Sequence, residues 1–244
     1  MLHALAARIV VGVIAALGTL RLGTGLYAYK VTEALERPEY TVIQTLPGGV
    51  EIRRYEPYLI AETIVDGVGF REPTGQGFKA CAGYIFGKNT KQKGWFGSST
   101  TSEEGSNAVK MAMTAPVRVS GESPPSLQGG SNCEQDTASM RKTKVSFVIG
   151  SKYSLKTAPK PLDKNVKIRQ VPAHTLAVKK FSGPPPNDKR VQKERVKLEQ
   201  VLVAAGETPP GPEQETLVYG YHDPFITPNF LRRNEVALVI SGSV

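Results

Sequence analysis

Apolar and polar residues alternate along this chain in three distinct ways. Ile9 to Leu20 is an apolar run of twelve, counting Gly and Thr, set between Arg8 and Arg21. Apolar character continues to Tyr29, with no acidic residue before Glu33. From Pro38 the pattern becomes that of a globular domain. Residues 40–43 read as a short strand and Pro47-Gly48-Gly49 as a turn. Residues 50–67 read as a long strand region interrupted at Pro57, which has no N–H to give to a ladder. Phe78, Cys81, Ala82, Ile85 and Phe86 then recur at i, i+3, i+4, i+7 and i+8. That spacing predicts an amphipathic helix, with Thr74 as its N-cap and Gly87 at its end. Residues 144–153 and 166–183 are further strand regions, and Asn187 follows three prolines as the N-cap of a second helix. Val191, Leu198, Val201, Leu202 and Ala205 share one face of it, and Gly206 closes it. Residues 217–221 and 236–240 are the last strands, joined by a loop from Asp223 to Phe230.

Residues 1–29 stand apart from this domain. The run of twelve is too short for hydrocarbon, which takes about 20 residues. The longer window 4–29 would span, with Arg8 and Arg21 near its ends where basic side chains reach the interface. A cleaved secretory signal, an organelle-targeting peptide (plastid included) and an uncleaved membrane anchor all suit this composition. The expected organisation is a targeting or anchor segment at 1–29 and one domain at 38–242. Two stretches rich in Gly, Ser, Thr and Lys, 92–109 with Trp95-Phe96 and 121–142 with Cys133, read as mobile insertions.

The domain contains an internal repeat. Residues 50–67 laid over 166–183, an offset of 116, match at Val50/Val166, Ile52/Ile168, Arg53/Arg169, Ala61/Ala177 and Gly67/Gly183. Each copy is followed by a turn, an amphipathic helix and further strands. The expected fold class is therefore α+β, with duplicated β-α-β-β halves closing one barrel and a helix over each outer face.

Between the halves lies Lys110-Met111-Ala112-Met113-Thr114-Ala115-Pro116-Val117, read as a strand. Met111 and Met113, two apart, share a face of it and serve either as gap-filling core or as the wall of an apolar pocket.

Composition narrows the chemistry. The net charge is +9 with a pI near 9.5, which favours anionic partners. The basic residues are scattered, and no RNA-recognition, zinc-finger or helix-turn-helix pattern accompanies them, so nucleic acid is not an expected partner. Cys81 and Cys133 form no CxxC pair, and the three histidines, His3, His174 and His222, are dispersed. No GxSxG, Walker loop or HExxH is present, and no enzymatic activity is expected.

Five stretches in order resemble the SOUL haem-binding family: VEIRRYEPYLIAE, GFKACAGYIFGKN, KMAMTAPV, VKIRQVPAHTLAVKKFSG and DPFITPNFLRRNEVALVI. The resemblance implies an eight-stranded distorted antiparallel β-barrel flanked by two helices. It also implies non-covalent binding of haem or another tetrapyrrole in a shallow apolar pocket between the first helix and the loop before the last strand. On this chain that selects Phe78, Cys81, Ala82 and Ile85 on the helix and Phe225, Ile226 and Phe230 on the loop, with Met111 and Met113 added by strand geometry. Lys110, Arg232 and Arg233 are the cations available to the propionates; the alternative for the arginine pair is a solvated turn or a structural ion pair with Glu235. No axial ligand is evident from the pattern; His222, which precedes the loop, is the best candidate, with a structural histidine as the alternative, and His174 ranks behind it. A membrane-tethered interaction protein without ligand is the rival reading, with a tetrapyrrole-modifying enzyme behind it.

Overall fold

The computed structural model describes residues 19–66, 70, 72–91, 108–121, 142–211 and 214–241. Most of both expected insertions, with Trp95, Phe96 and Cys133, and most of the apolar run at 9–20 lie outside these residues. Among the described residues no helix is long and apolar enough to cross a membrane.

Proline placement decides how the strands are cut. The region 50–67 yields β2 (Val50–Tyr55) and β3 (Tyr58–Asp66), divided at Pro57. The region 166–183 yields β8 (Lys167–Val171) and β9 (His174–Ser182), divided at Pro172. β3 and β9 start and stop at an offset of 116, the repeat's own spacing. The other strands are β1 (Tyr40–Leu46), β4 (Asn89–Thr90), β5 (Val117–Gly121), β6 (Lys142–Ile149), β7 (Lys160–Pro161), β10 (Thr216–Gly220) and β11 (Arg233–Ser241). Three helices accompany them: α1 (19–33), α2 (Glu72–Ile85) and α3 (Asp188–Ala204).

The main sheet is antiparallel throughout, nine-stranded, in the order β1-β2-β9-β11-β10-β5-β6-β3-β8. Without β1 this order is a palindrome. Exchanging β2 with β8, β3 with β9, β5 with β10 and β6 with β11 turns it into its own reverse. The symmetry centre falls between β5 and β10, where Val119 faces Val218. The expected closed eight-stranded barrel is not what forms. β1 turns back over Gly48 and Gly49, whose φ of 70° and 72° suit glycine, and pairs with β2 as a ninth strand. β1 and β8 then end the sheet as free edges of an open, strongly curled half-barrel.

Side chains alternate between two buried faces. On the outer face, Leu59 and Ala61 of β3, Val145 and Phe147 of β6, and Val236 and Leu238 of β11 form one core. α2 covers β3 and β6, and α3 covers β9 and β11, so the two helices obey the same exchange as the strands. α2 sits close: a Cβ on Gly77 would lie 2.5 Å from Val145 Cγ2. Leu198 and Leu202 of α3 are fully buried, worth about 1.5–3 kcal/mol each. Asn187 caps α3, accepting from the Arg190 amide at 3.0 Å, and Gly206 ends it at φ 80°. The inner face carries Tyr55, Leu176, Val178, Leu217, Tyr219, Tyr221 and Ala237.

Two further expectations change. The methionine stretch is not a strand: residues 108–113 lack regular structure, Thr114 makes one parallel bridge to Glu36, and pairing starts only at Val117. Ala115-Pro116 is a cis peptide, and Pro116 has no N–H for a ladder. Second, part of the segment 1–29 is not separate from the domain expected at 38–242. Helix α1 runs through that position and docks on the loop before β11, with Gly25 so close that a Cβ there would lie 2.6 Å from Pro228 Cδ.

Candidate functional site

The loop before β11 is fixed by its own polar atoms. Asp223 Oδ1 accepts from the amides of Phe225 at 2.7 Å and Ile226 at 2.9 Å, folding the chain back on itself. Arg232 donates from Nε to the Thr227 carbonyl at 2.6 Å and from Nη2 to the Pro224 carbonyl. Its guanidinium therefore holds the loop, and it also lines the groove beside it. The result is a rigid turn that presents Phe225, Ile226 and Phe230 outward, 86%, 51% and 68% exposed. Arg21 and Leu22 of α1 face this turn across a groove of ≈ 320 Å³.

Phe78, Cys81, Ala82 and Ile85 do lie on the expected helix, α2, but none of them lines this groove. Cys81, Ala82, Ile85 and Met111 are buried in the core under α2, and Met113 packs against its edge. Met111 is tied there by its amide, which donates to the Ile85 carbonyl at 2.9 Å. The Cys81 thiol donates to the Ala61 and Val145 carbonyls, and burial pushes it up to about 12. Phe78 is partly exposed, edge-on to Phe147 at 5.1 Å. Lys110 is exposed. Across the loop stand Arg21, Leu22 and Gly25 of α1, because residues 19–33 come back over it.

Arg233 is committed to Glu235, at 2.6 Å and 3.0 Å, and lies 4.2 Å from the centre of the Tyr221 ring. His222 is enclosed. Its ring stacks on Tyr29 at 4.9 Å and 6°, Nδ1 accepts from the Arg233 amide at 3.1 Å, and Nε2 faces Glu33 Oε1 at 3.3 Å. Burial lowers its pKa against the pull of Glu33, favouring the neutral ring.

Sequence reasoning passed over the inner face of the sheet. There Tyr58, Arg118, Tyr219 and Tyr221 surround a small cavity whose mouth is framed by Arg37, Tyr40 and Arg233. The signal available was Arg53/Arg169, a charged identity inside two otherwise apolar repeats. Both arginines turn out to hold a carboxylate at the sheet: Arg53 grips Glu235, and Arg169 grips Glu62.

Several solved structures are similar in outline. The C-terminal domain of EcmrR matches at 8% identity, covering 83% of this chain and 98% of that one, with a TM-score of 0.46. A Listeria innocua hydrolase encoded by lin2189 matches at 9% identity, covering 87% and 96%, with a TM-score of 0.49. An uncharacterized conserved protein from Listeria innocua matches at 11%, covering 87% and 96%, with a TM-score of 0.46. No curated protein matches the sequence. The family model described as SOUL heme-binding protein matches residues 35–239, from the end of α1 to within β11. With most of its length inside that match, and every strand of the main sheet at least in part, the chain belongs to the SOUL heme-binding protein family.

Proposed function

We propose that this protein binds haem or a related tetrapyrrole non-covalently, on the groove between α1 and the loop before β11, and buffers, carries or reports it without chemistry of its own. Family membership supports the ligand class. The observation that carries the location is the exposed trio Phe225, Ile226 and Phe230 on a backbone pinned by Asp223 and Arg232. Large apolar side chains held in water by a rigid turn are unfavourable unless something covers them. A macrocycle offers a flat apolar face, and the groove's ≈ 320 Å³ lies at the small end of ligand sites, in keeping with a shallow, partly covered ligand. Arg21 stands at the groove for a propionate, a pairing that guanidinium geometry suits.

Titrating hemin into the full chain and into Phe225→Ser/Phe230→Ser tests this. The natural chain is expected to give a saturable Soret change at micromolar protein, and the double variant to lose about tenfold or more in affinity. No saturable change in the natural chain would sink the ligand, and equal affinity in the double variant would sink the location.

A second reading adds the membrane. Leu20, Leu22, Leu26 and Tyr27 of α1 are exposed, and the sequence before them is more apolar still. Such a segment can lie in a bilayer interface as well as face a ligand. Flotation with liposomes separates the two: Leu22→Glu/Leu26→Glu loses flotation if α1 is the contact.

A further inference from the structure

We propose that the cavity on the inner face of the sheet is a binding site for one small monovalent anion of chloride or formate size. Three residues that line it carry polar atoms without a hydrogen bond of ordinary length and angle: Arg37 at Nε, Arg118 at Nε and Nη1, and Tyr219 at its hydroxyl, the last two with only the neutral Tyr58 phenol close by. Each of these groups can donate a hydrogen bond, and the arginine atoms can do nothing else. Arg118 and Tyr219 face each other across β5 and β10, at the centre of the sheet, and both are at least nine-tenths buried. No carboxylate lines the cavity among the described residues.

Charge makes the same demand. Outside the lining, the single carboxylate of Glu62 serves both Arg118 at 3.1 Å and Arg169 at 3.0 Å. One negative charge is thus shared between two guanidinia, of which Arg169 is a third exposed to solvent while Arg118 is shut in, and the Nε and Nη1 donors of Arg118 have no carboxylate. At the mouth, Arg37 and Arg233 approach the Tyr221 ring at 5.3 Å and 4.2 Å, although Arg37 has Glu33 and Arg233 has Glu235. The phenols do not supply the missing charge, because burial pushes Tyr58, Tyr219 and Tyr221 up and keeps them neutral. His174, whose charge Arg118 opposes, is held toward its neutral form mainly by burial.

A water molecule fits the ≈ 20 Å³ space and would satisfy two of the donors through its lone pairs. It would leave the excess positive charge buried, which is the costly part. A compact anion answers both. A large ligand is excluded by volume, so this site is separate from the groove at α1.

The test is the thermal midpoint of the full chain in increasing sodium chloride, with ionic strength held constant by sodium gluconate, whose anion is too large to enter. A ligand of the folded state raises the midpoint saturably. The natural chain is expected to show that rise, Arg118→Met to lose it, and Arg37→Gln to need about threefold more chloride or beyond. Arg37 is partly exposed, so its variant decides alone if Arg118→Met does not fold. No saturable rise in the natural chain would overturn the proposal and leave water as the occupant. An unchanged chloride response in Arg37→Gln would do the same, by assigning the effect to the general surface. Neither outcome touches hemin binding, which is read at a different wavelength and site.

Discussion

Arg53 and Glu235 meet through two parallel hydrogen bonds, Nη1 to Oε2 at 3.1 Å and Nη2 to Oε1 at 3.0 Å, with both side chains shut off from solvent. Tyr221 adds its hydroxyl to the same carboxylate at 2.7 Å. The pair bridges β2 and β11 across β9 and so ties the two repeats together. Taking both charges out of water is expensive, and removing one of them is worse, since the other stays buried. Glu235→Gln is expected to destabilise the fold by about 3 kcal/mol or more, measured by urea unfolding. Lys144 and Glu215, 2.5 Å apart but a third exposed, provide the contrast. There Glu215→Gln should cost less than about 1 kcal/mol. Similar losses at the two sites would mean that burial does not set the worth of these pairs.

Acid should weaken the fold in two stages. His174 and His222 both have their pKa lowered from the ordinary 6.5, mainly by burial. Below 6.5 the unfolded chain therefore binds protons that the folded chain refuses, and stability falls with pH from that point. Glu62 and Glu235 follow. Burial opposes their charge, but Arg169 and Arg53 outweigh it and hold both carboxyls below the ordinary 4.5. Their contribution is whole above 4.5 and is lost as pH falls through the lower folded values. Unfolding free energies measured from pH 7.5 to 3.5 should show a first decline starting near 6.5 and a steeper one below 4.5. A flat profile between 7 and 5 would contradict the burial of the histidines.

How much of this was legible in sequence depended on whether the signal was local. The helix at α3 was legible because Asn187, the apolar spacing and Gly206 all act within a few residues. The repeat was legible too, and the structure reproduces its offset at β3 and β9. The start of β11 was not. Arg233, Asn234 and Glu235 read as a polar approach to a strand at 236, whereas they are already paired with Ser182, Phe181 and Lys180 of β9. Glu235 is met by Arg53, 182 positions away, and no local pattern carries that. The inner cavity was hidden for the same reason: Tyr58, Arg118 and Tyr219 come together only through strand order. The groove was half visible, since Phe225, Ile226 and Phe230 could be named but their partner could not. Residues 1–29 look like a leader in sequence, yet part of them is helix α1.

Cys81 should behave as core and not as a reactive thiol. It is fully buried, donates to two carbonyls, and is pushed up to about 12. Only the thiolate reacts, so at pH 8 both its ionisation and its access are suppressed. Labelling with iodoacetamide, followed by mass spectrometry of the peptide that holds Cys81, should run about a thousandfold or more slower than for a free thiol. Denaturant should restore it. Rapid labelling in the native protein would show that α2 lifts from β3 and β6 far more readily than its packing implies.

His222 settles whether a bound haem has an axial ligand from this part of the chain. Its Nδ1 accepts a hydrogen bond from the Arg233 amide, so in the neutral ring the proton sits on Nε2, which points at Glu33. A nitrogen carrying a proton has no lone pair for iron. To ligate, the ring would have to give up Glu33, leave the face of Tyr29 and move α1 aside. The expectation is that His222→Ala binds hemin with the Soret maximum of the natural chain and an affinity within about threefold of it. A displaced maximum, or loss of low-spin bands present in the natural complex, would show that haem recruits His222 and that α1 swings away when it does.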